Sequence, residues 1–191
     1  MKDAFAREWT AEVLAHPPLI APARQFTYPM NIAGEEDALA RGALRLMVRP
    51  SVGGVFLATC ALGFTDPAMP TGVFGCPNPR ELCAVAGGYA YIIDTSQPER
   101  CEQVPLKPVA EVLPLPWHEL LIFAGFHGLA AWGVDGLAWT SGRLSWEGLK
   151  LGSVEGDTLH GLGWDMRTDR EVPFAVDLRS GTHTGGGFNP R

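Results

Sequence analysis

The sequence predicts a mostly β fold: a single domain over residues 1–191, built of antiparallel hairpins as a sandwich, a barrel or a short propeller-like stack of blade-type repeats, with a short N-terminal helix. Three observations lead there. Of the 191 residues, 23 are Gly and 16 are Pro. In helix interiors these cost about 1 and 3 kcal/mol each, which excludes a helical bundle or coiled coil. Apolar residues make up 46% and charged residues 19%, so the chain can bury a core and is not disordered. The apolar stretches come in strand lengths between turn residues.

Taken in order, residues 3–15 carry Phe5, Trp9 and Val13 at i, i+4 and i+8, the apolar stripe of an amphipathic helix. His16-Pro17-Pro18 ends it, because the residue before a proline is pushed out of the α region. A proline-rich loop with a short helical turn at Glu35–Arg41 follows. These first 41 residues are expected to pack on a β domain formed by residues 42–191. Leu44–Arg49 and Val55–Leu62 read as a hairpin closed by Pro50-Ser51-Val52-Gly53-Gly54. A weak repeat relates residues 77–94 to residues 114–135: in each copy a proline-bearing lead-in opens an apolar strand ending in Ala-Gly, then a second apolar strand ends near an Asp. Such a period is typical of blades or stacked hairpins.

Composition shifts near Trp117. Fourteen of the 16 prolines lie between Pro17 and Pro116, whereas 14 of the 23 glycines and five of the six tryptophans lie from Trp117 onward. The second part therefore reads as a meander of tight glycine turns. Val134-Asp135-Gly136-Leu137 between apolar runs signals a type I′ hairpin turn, which would set Trp132 directly opposite Trp139. Leu149–Val154 and Thr158–Trp164 form another hairpin around Glu155-Gly156-Asp157. A Glu-Gly turn would pair Leu151 with His160; the preferred Gly-Asp turn pairs Leu151 with Leu162 and Leu149 with Trp164. Glu171–Leu178 is a last long strand, followed by a turn at Arg179–Thr182 and a Gly185–Gly187 tail.

Two groups of side chains are candidates for function. Trp132 and Trp139, with Trp146 and an Arg143 able to stack on an indole, would form an aromatic platform for a sugar, a base or a partner's side chain. The competing reading is that the tryptophans fill the core. The second group is the charged stretch Asp165-Met166-Arg167-Thr168-Asp169-Arg170-Glu171. With His160 it would give a hydrolase its acid and base; the competing reading is a solvated loop whose arginines neutralise its carboxylates.

Other classes are disfavoured. The formal net charge is −6 with no basic patch, which argues against nucleic acid and anionic membranes as partners. The histidines at 16, 118, 127, 160 and 183 form no HxH or HExxH motif, and Cys60, Cys76, Cys83 and Cys101 form no CxxC pair, so no metal site is expected. No GxSxG elbow, Walker loop or dinucleotide fingerprint occurs, and no cofactor is expected. The first residues lack the apolar core of a secretory signal, so a soluble, cytoplasmic protein is the expectation. The function these features favour is binding or protein interaction, with a protein, small-molecule or carbohydrate partner. A carboxylate hydrolase is the first alternative and a self-assembling structural protein the second.

Overall fold

The computed structural model describes residues 4–29 and 39–188. Among them the chain forms sixteen strands in four four-stranded sheets, none of which closes on itself. The chain divides into two compact units, Met1–Pro108 and Val109–Arg191.

In the N-terminal unit, the first sheet contains β1 (Trp9–Leu14), β2 (Arg24–Tyr28), β3 (Ala43–Pro50) and β4 (Phe56–Ala61) in the order β1-β3-β4-β2. Its pairs are antiparallel except β2 with β4, which run parallel. The second sheet is a meander of β5 (Gly72–Gly75), β6 (Glu81–Ala86), β7 (Tyr89–Asp94) and β8 (Cys101–Gln103). Leu46, Phe56, Leu82, Tyr28, Tyr91 and Ile93 are fully enclosed between them. Each such aliphatic or Phe side chain contributes about 1.5–3 kcal/mol on burial. The two buried tyrosines keep their hydroxyls satisfied, Tyr28 donating to Pro98 O at 2.7 Å and Tyr91 to Ala61 O at 2.9 Å.

The expected N-terminal helix is absent: Trp9–Leu14 is a strand, paired along its length with β3. The residues that make a helical stripe also alternate, Trp9, Ala11 and Val13 against Thr10 and Glu12, and tertiary pairing selected the two-residue period. Trp9 is buried, with its indole N–H donating to Glu81 O at 3.0 Å. The described part of this segment is not a helix and loop laid on a β domain, because β1 and β2 belong to the first sheet itself. The helical turn expected at Glu35–Arg41 falls mostly outside the described residues.

The four cysteines are free thiols. Burial pushes all of them up, the half-buried Cys101 to about 12, so at neutral pH they pack as small hydrophobes rather than react.

The C-terminal unit is two successive meanders. β9 (Val109–Leu115), β10 (Leu120–Gly125), β11 (Leu129–Gly133) and β12 (Gly136–Thr140) form one; β13 (Leu149–Glu155), β14 (Thr158–Asp165), β15 (Arg170–Asp177) and β16 (His183–Gly185) form the other. The two repeat segments of the sequence hold β6–β7 and β10–β11, the central strands of their sheets. These strands are apolar almost throughout and almost wholly buried, as strands covered on both faces are.

Both hairpin registers differ from expectation, the first already at its turn and the second through a bulge. The first hairpin turns at Val134-Asp135, one residue earlier than expected, so that Gly133 pairs with Gly136 and Trp132 with Leu137, and a shift between Ala131 and Trp132 then sets Ala131 opposite Trp139. The positive φ falls on Gly136, at 109°, and not on Asp135, so the turn is not the type I′ form. In the next hairpin Gly156, with φ 56°, takes the first position of a Gly-Asp turn, as a II′ turn requires, and Glu155 faces Thr158. A shift between Leu151 and Val154 then places Leu151 opposite Gly161 and Leu149 opposite Gly163. The expected partners Leu162 and Trp164 are thereby displaced by one residue.

Candidate functional site

The Trp132–Trp139 platform does not form. The bulge at Ala138 of β12 sends the two indoles to opposite faces of the sheet, and both are buried, Trp132 at 2% and Trp139 at 8% exposure. Trp139 packs with Ile122, Leu129, Phe174 and Val176 and donates its N–H to Leu178 O at 2.8 Å. The stack expected of Arg143 on Trp146 is present, with the guanidinium 5.2 Å from the Trp146 ring and 4.5 Å from that of Phe188. Arg143 Nε and Nη2 also donate to Ser145 O and Trp146 O. Its donors close a local loop.

The carboxylates expected to serve a hydrolase are placed apart and engaged. Asp165 accepts from the Arg167 N–H at 2.9 Å and the Thr168 hydroxyl at 2.8 Å. These bonds hold its pKa below the ordinary value, the reverse of what a general acid needs. Asp169, in the left-handed region at φ 52°, accepts from the Trp164 indole N–H at 3.0 Å. Glu171 is ion-paired with Lys150. His160 lies five residues along β14 from Asp165, about 16 Å at the strand rise, with Glu155 4.0 Å away. Among the described residues no hydrogen bond or ion pair joins any two of these groups. Among the described residues no cluster of three His, Cys, Asp or Glu could hold a metal ion, and no helix is long and apolar enough to cross a membrane.

What the charged stretch does build is a wall. Along β14 the core side carries Leu159, Gly161 and Gly163, and the opposite side His160, Leu162 and Trp164. The glycines are required: a Cβ on Gly161 would stand 2.3 Å from the Phe174 ring, and one on Gly163 would stand 2.3 Å from the Leu144 carbonyl. From Gly161 to Trp164 the large apolar side chains are thus on the side away from the core, inverting the alternation that Leu159 begins and that a half-buried strand usually keeps. Lys150 faces Leu162 from β13 and Glu171 faces Trp164 from β15. With Glu147, Gly148 and Leu149 they enclose a pocket of about 390 Å³. The Asp169 bond fixes the indole edge, so this wall is oriented before any ligand arrives.

A second pocket, about 290 Å³, lies where the Pro116–His118 3-10 turn meets the 156–157 and 178–179 segments. Trp117 stands at its rim, 96% exposed. The turn is framed by Pro114 and Pro116 and closed by the left-handed Glu119, whose N–H donates to Pro116 O at 3.1 Å. Inside, His118 Nε2 donates to Gly156 O at 2.9 Å and stands 3.6 Å from Asp157 Oδ1, while Arg179 pairs with the other Asp157 oxygen.

None of Trp164, Leu162, Glu147, Lys150, Trp117 or His118 stands out in the sequence as a site residue. One signal does carry the first pocket: in Gly161-Leu162-Gly163-Trp164 the glycines hold one parity and the large apolar residues the other.

No family model matches the chain, and no curated protein matches it. Among solved structures it is similar to the crystal structure of the N-terminal domain of Nup159, at 12% identity and a TM-score of 0.37, over 96% of this chain and 51% of that one. The chain thus spans about half the length of that structure. At this TM-score the likeness bears on neither the function nor the site.

Proposed function

We propose that the chain is a binding module that engages its ligand on the outward face of β13–β15, at the Trp164 pocket, with the exposed Trp117 as a second contact point. The observation that carries this reading is the inverted alternation of β14. An apolar surface turned away from the core, walled by an indole already held in place, is a feature of a recognition site rather than of a solvated sheet face. The exposed Trp117 adds to it, since tryptophan on a stiff turn is the residue type most enriched among interface anchors. The turn-capping bonds of Asp165, the bond from Trp164 to Asp169 and the Glu171–Lys150 ion pair support binding over the hydrolase alternative.

The reading is tested by a thermal-shift screen of sugars, nucleotides, amines and peptides against the intact chain and its Trp164→Ala and Trp117→Ala variants. A ligand at 100 times its Kd stabilises the folded state by about 2.7 kcal/mol. The expected result is a ligand-induced rise in melting temperature that Trp164→Ala removes. A ligand whose shift survives in both variants would show that recognition lies elsewhere.

A further inference from the structure

We infer that the Trp164 pocket takes an alkylammonium group, with the cationic head beside the indole and the carboxylates of Glu147 and Glu171, and the carbon chain along Leu162. This rests on reading the pocket as the ligand site.

The lining sets the sign of the ligand's charge. Glu147, Glu171 and Lys150 are its ionisable residues, two acids against one base, in a chain whose formal net charge is −6. The single base is already taken, because Lys150 is ion-paired with Glu171. The Glu147 carboxylate has no ion pair among the described residues. An anionic ligand would meet two carboxylates and no free donor of positive charge. A cation meets the opposite: an indole whose π-system attracts positive charge, one unpaired carboxylate, and a second whose partner can leave. Lys150 and Glu171 have side chains 69% and 42% exposed, and exposed ion pairs of this kind hold weakly. The apolar side chains of Leu162 and Trp164 then suit the alkyl part of such a ligand, as the stems of long cationic residues lie along apolar surface. Lys150 is itself an example of the fit, an ammonium on an alkyl stem already seated at Glu171. Two sources offer this chemistry, a free small amine or the side chain of a basic peptide.

The test follows the six indole N–H signals by 15N NMR while the intact chain is titrated with tetramethylammonium, with an acetylated trimethyllysine peptide, and with 3,3-dimethylbutanol as the neutral isostere of choline. Both cations should shift the Trp164 signal and the neutral alcohol should not; the tighter of the two cations names the source. Glu147→Gln combined with Glu171→Gln should weaken cation binding by about tenfold. Lys150→Met should tighten it several-fold by freeing Glu171. That gain does not depend on a variant losing structure. Equal binding of the neutral alcohol, or affinities unmoved by the charge variants, would overturn the cation inference while leaving the pocket a ligand site. If a ligand from the broader screen binds and leaves the Trp164 signal unmoved, the site itself is wrong.

Discussion

Asp169 couples the charged loop to the pocket through two independent properties. Its backbone lies in the left-handed region at φ 52°, and its carboxylate fixes the Trp164 indole at 3.0 Å. Asparagine tolerates that conformation and keeps an acceptor oxygen, whereas alanine does neither. Asp169→Asn should therefore leave stability nearly unchanged, while Asp169→Ala should cost about 1–2 kcal/mol and broaden the Trp164 indole N–H signal. Urea unfolding with NMR line widths checks both. Asp165, four residues earlier, caps the same loop. The hydrogen bonds from Arg167 N–H and Thr168 lower its pKa from the usual 3.8. A carboxylate with a depressed folded pKa stabilises the native state above the unfolded value, and that contribution disappears as pH falls through the folded one. The stability difference between the wild type and Asp165→Asn should thus be constant from neutral pH down to about 4 and shrink at more acid pH, as urea titrations down to pH 2 would show. The sequence displays these carboxylates as one charged cluster. Which of them caps a turn and which holds an indole depends on loop dihedrals that residue types alone do not specify.

At the scale of elements, β14 sets the pocket because its glycines let other chain segments reach the core side. At Gly163 the nearest obstacle is backbone: a methyl group would meet the Leu144 carbonyl oxygen at 2.3 Å, and the Trp146 N–H that donates to Trp164 O at 3.0 Å belongs to the same crossing. Gly163→Ala must displace backbone rather than a side-chain tip, and should destabilise by about 2 kcal/mol or more. Gly148, which lines the same pocket with nothing within 4 Å of a built Cβ but a φ of 76°, should lose only about 1 kcal/mol on the same change. Thermal melts of the two variants side by side give the contrast. The strands, the turn positions and the meander from residue 120 onward are legible in the sequence, because turn chemistry and apolar run length are local properties. The registers are not. The first turns one residue early, at Val134-Asp135, and both carry a bulge, one opposite Ala131 and Trp132 and one between Leu151 and Val154, and bulges answer to packing across the sheet. The burial of Trp139 beneath Gly181 is a packing of that kind. For β1 the helical and strand periods coincide on Trp9 and Val13, and only the presence of β3 as a partner decides between them.

For the whole molecule, the compositional break near Trp117 falls close to the division between Pro108 and Val109. The proline-rich part holds a sheet of mixed connection, where β2 returns parallel to β4 over a long link, and one meander. The glycine-rich part holds two plain meanders with short turns, the pattern that glycine turns permit. Each unit has an apolar cluster of its own: Tyr28, Leu46, Phe56 and Tyr91 in one, and Ile122, Leu129, Leu159, Phe174 and Val176 in the other. The Trp164 pocket is lined from residues 147 to 171, all within the second unit. If these clusters hold their units independently, residues 109–191 produced alone should fold, with dispersed amide signals and a cooperative urea transition. They should also reproduce the response of the Trp164 indole to a cation titration with an affinity within about twofold of the intact chain, since sites without shared contacts act additively. A fragment that folds but has lost the response would mean that the N-terminal unit shapes the pocket. A fragment that stays unfolded would show that the second cluster needs the first unit to be stable, and would put the cooperative unit of this chain at its full length.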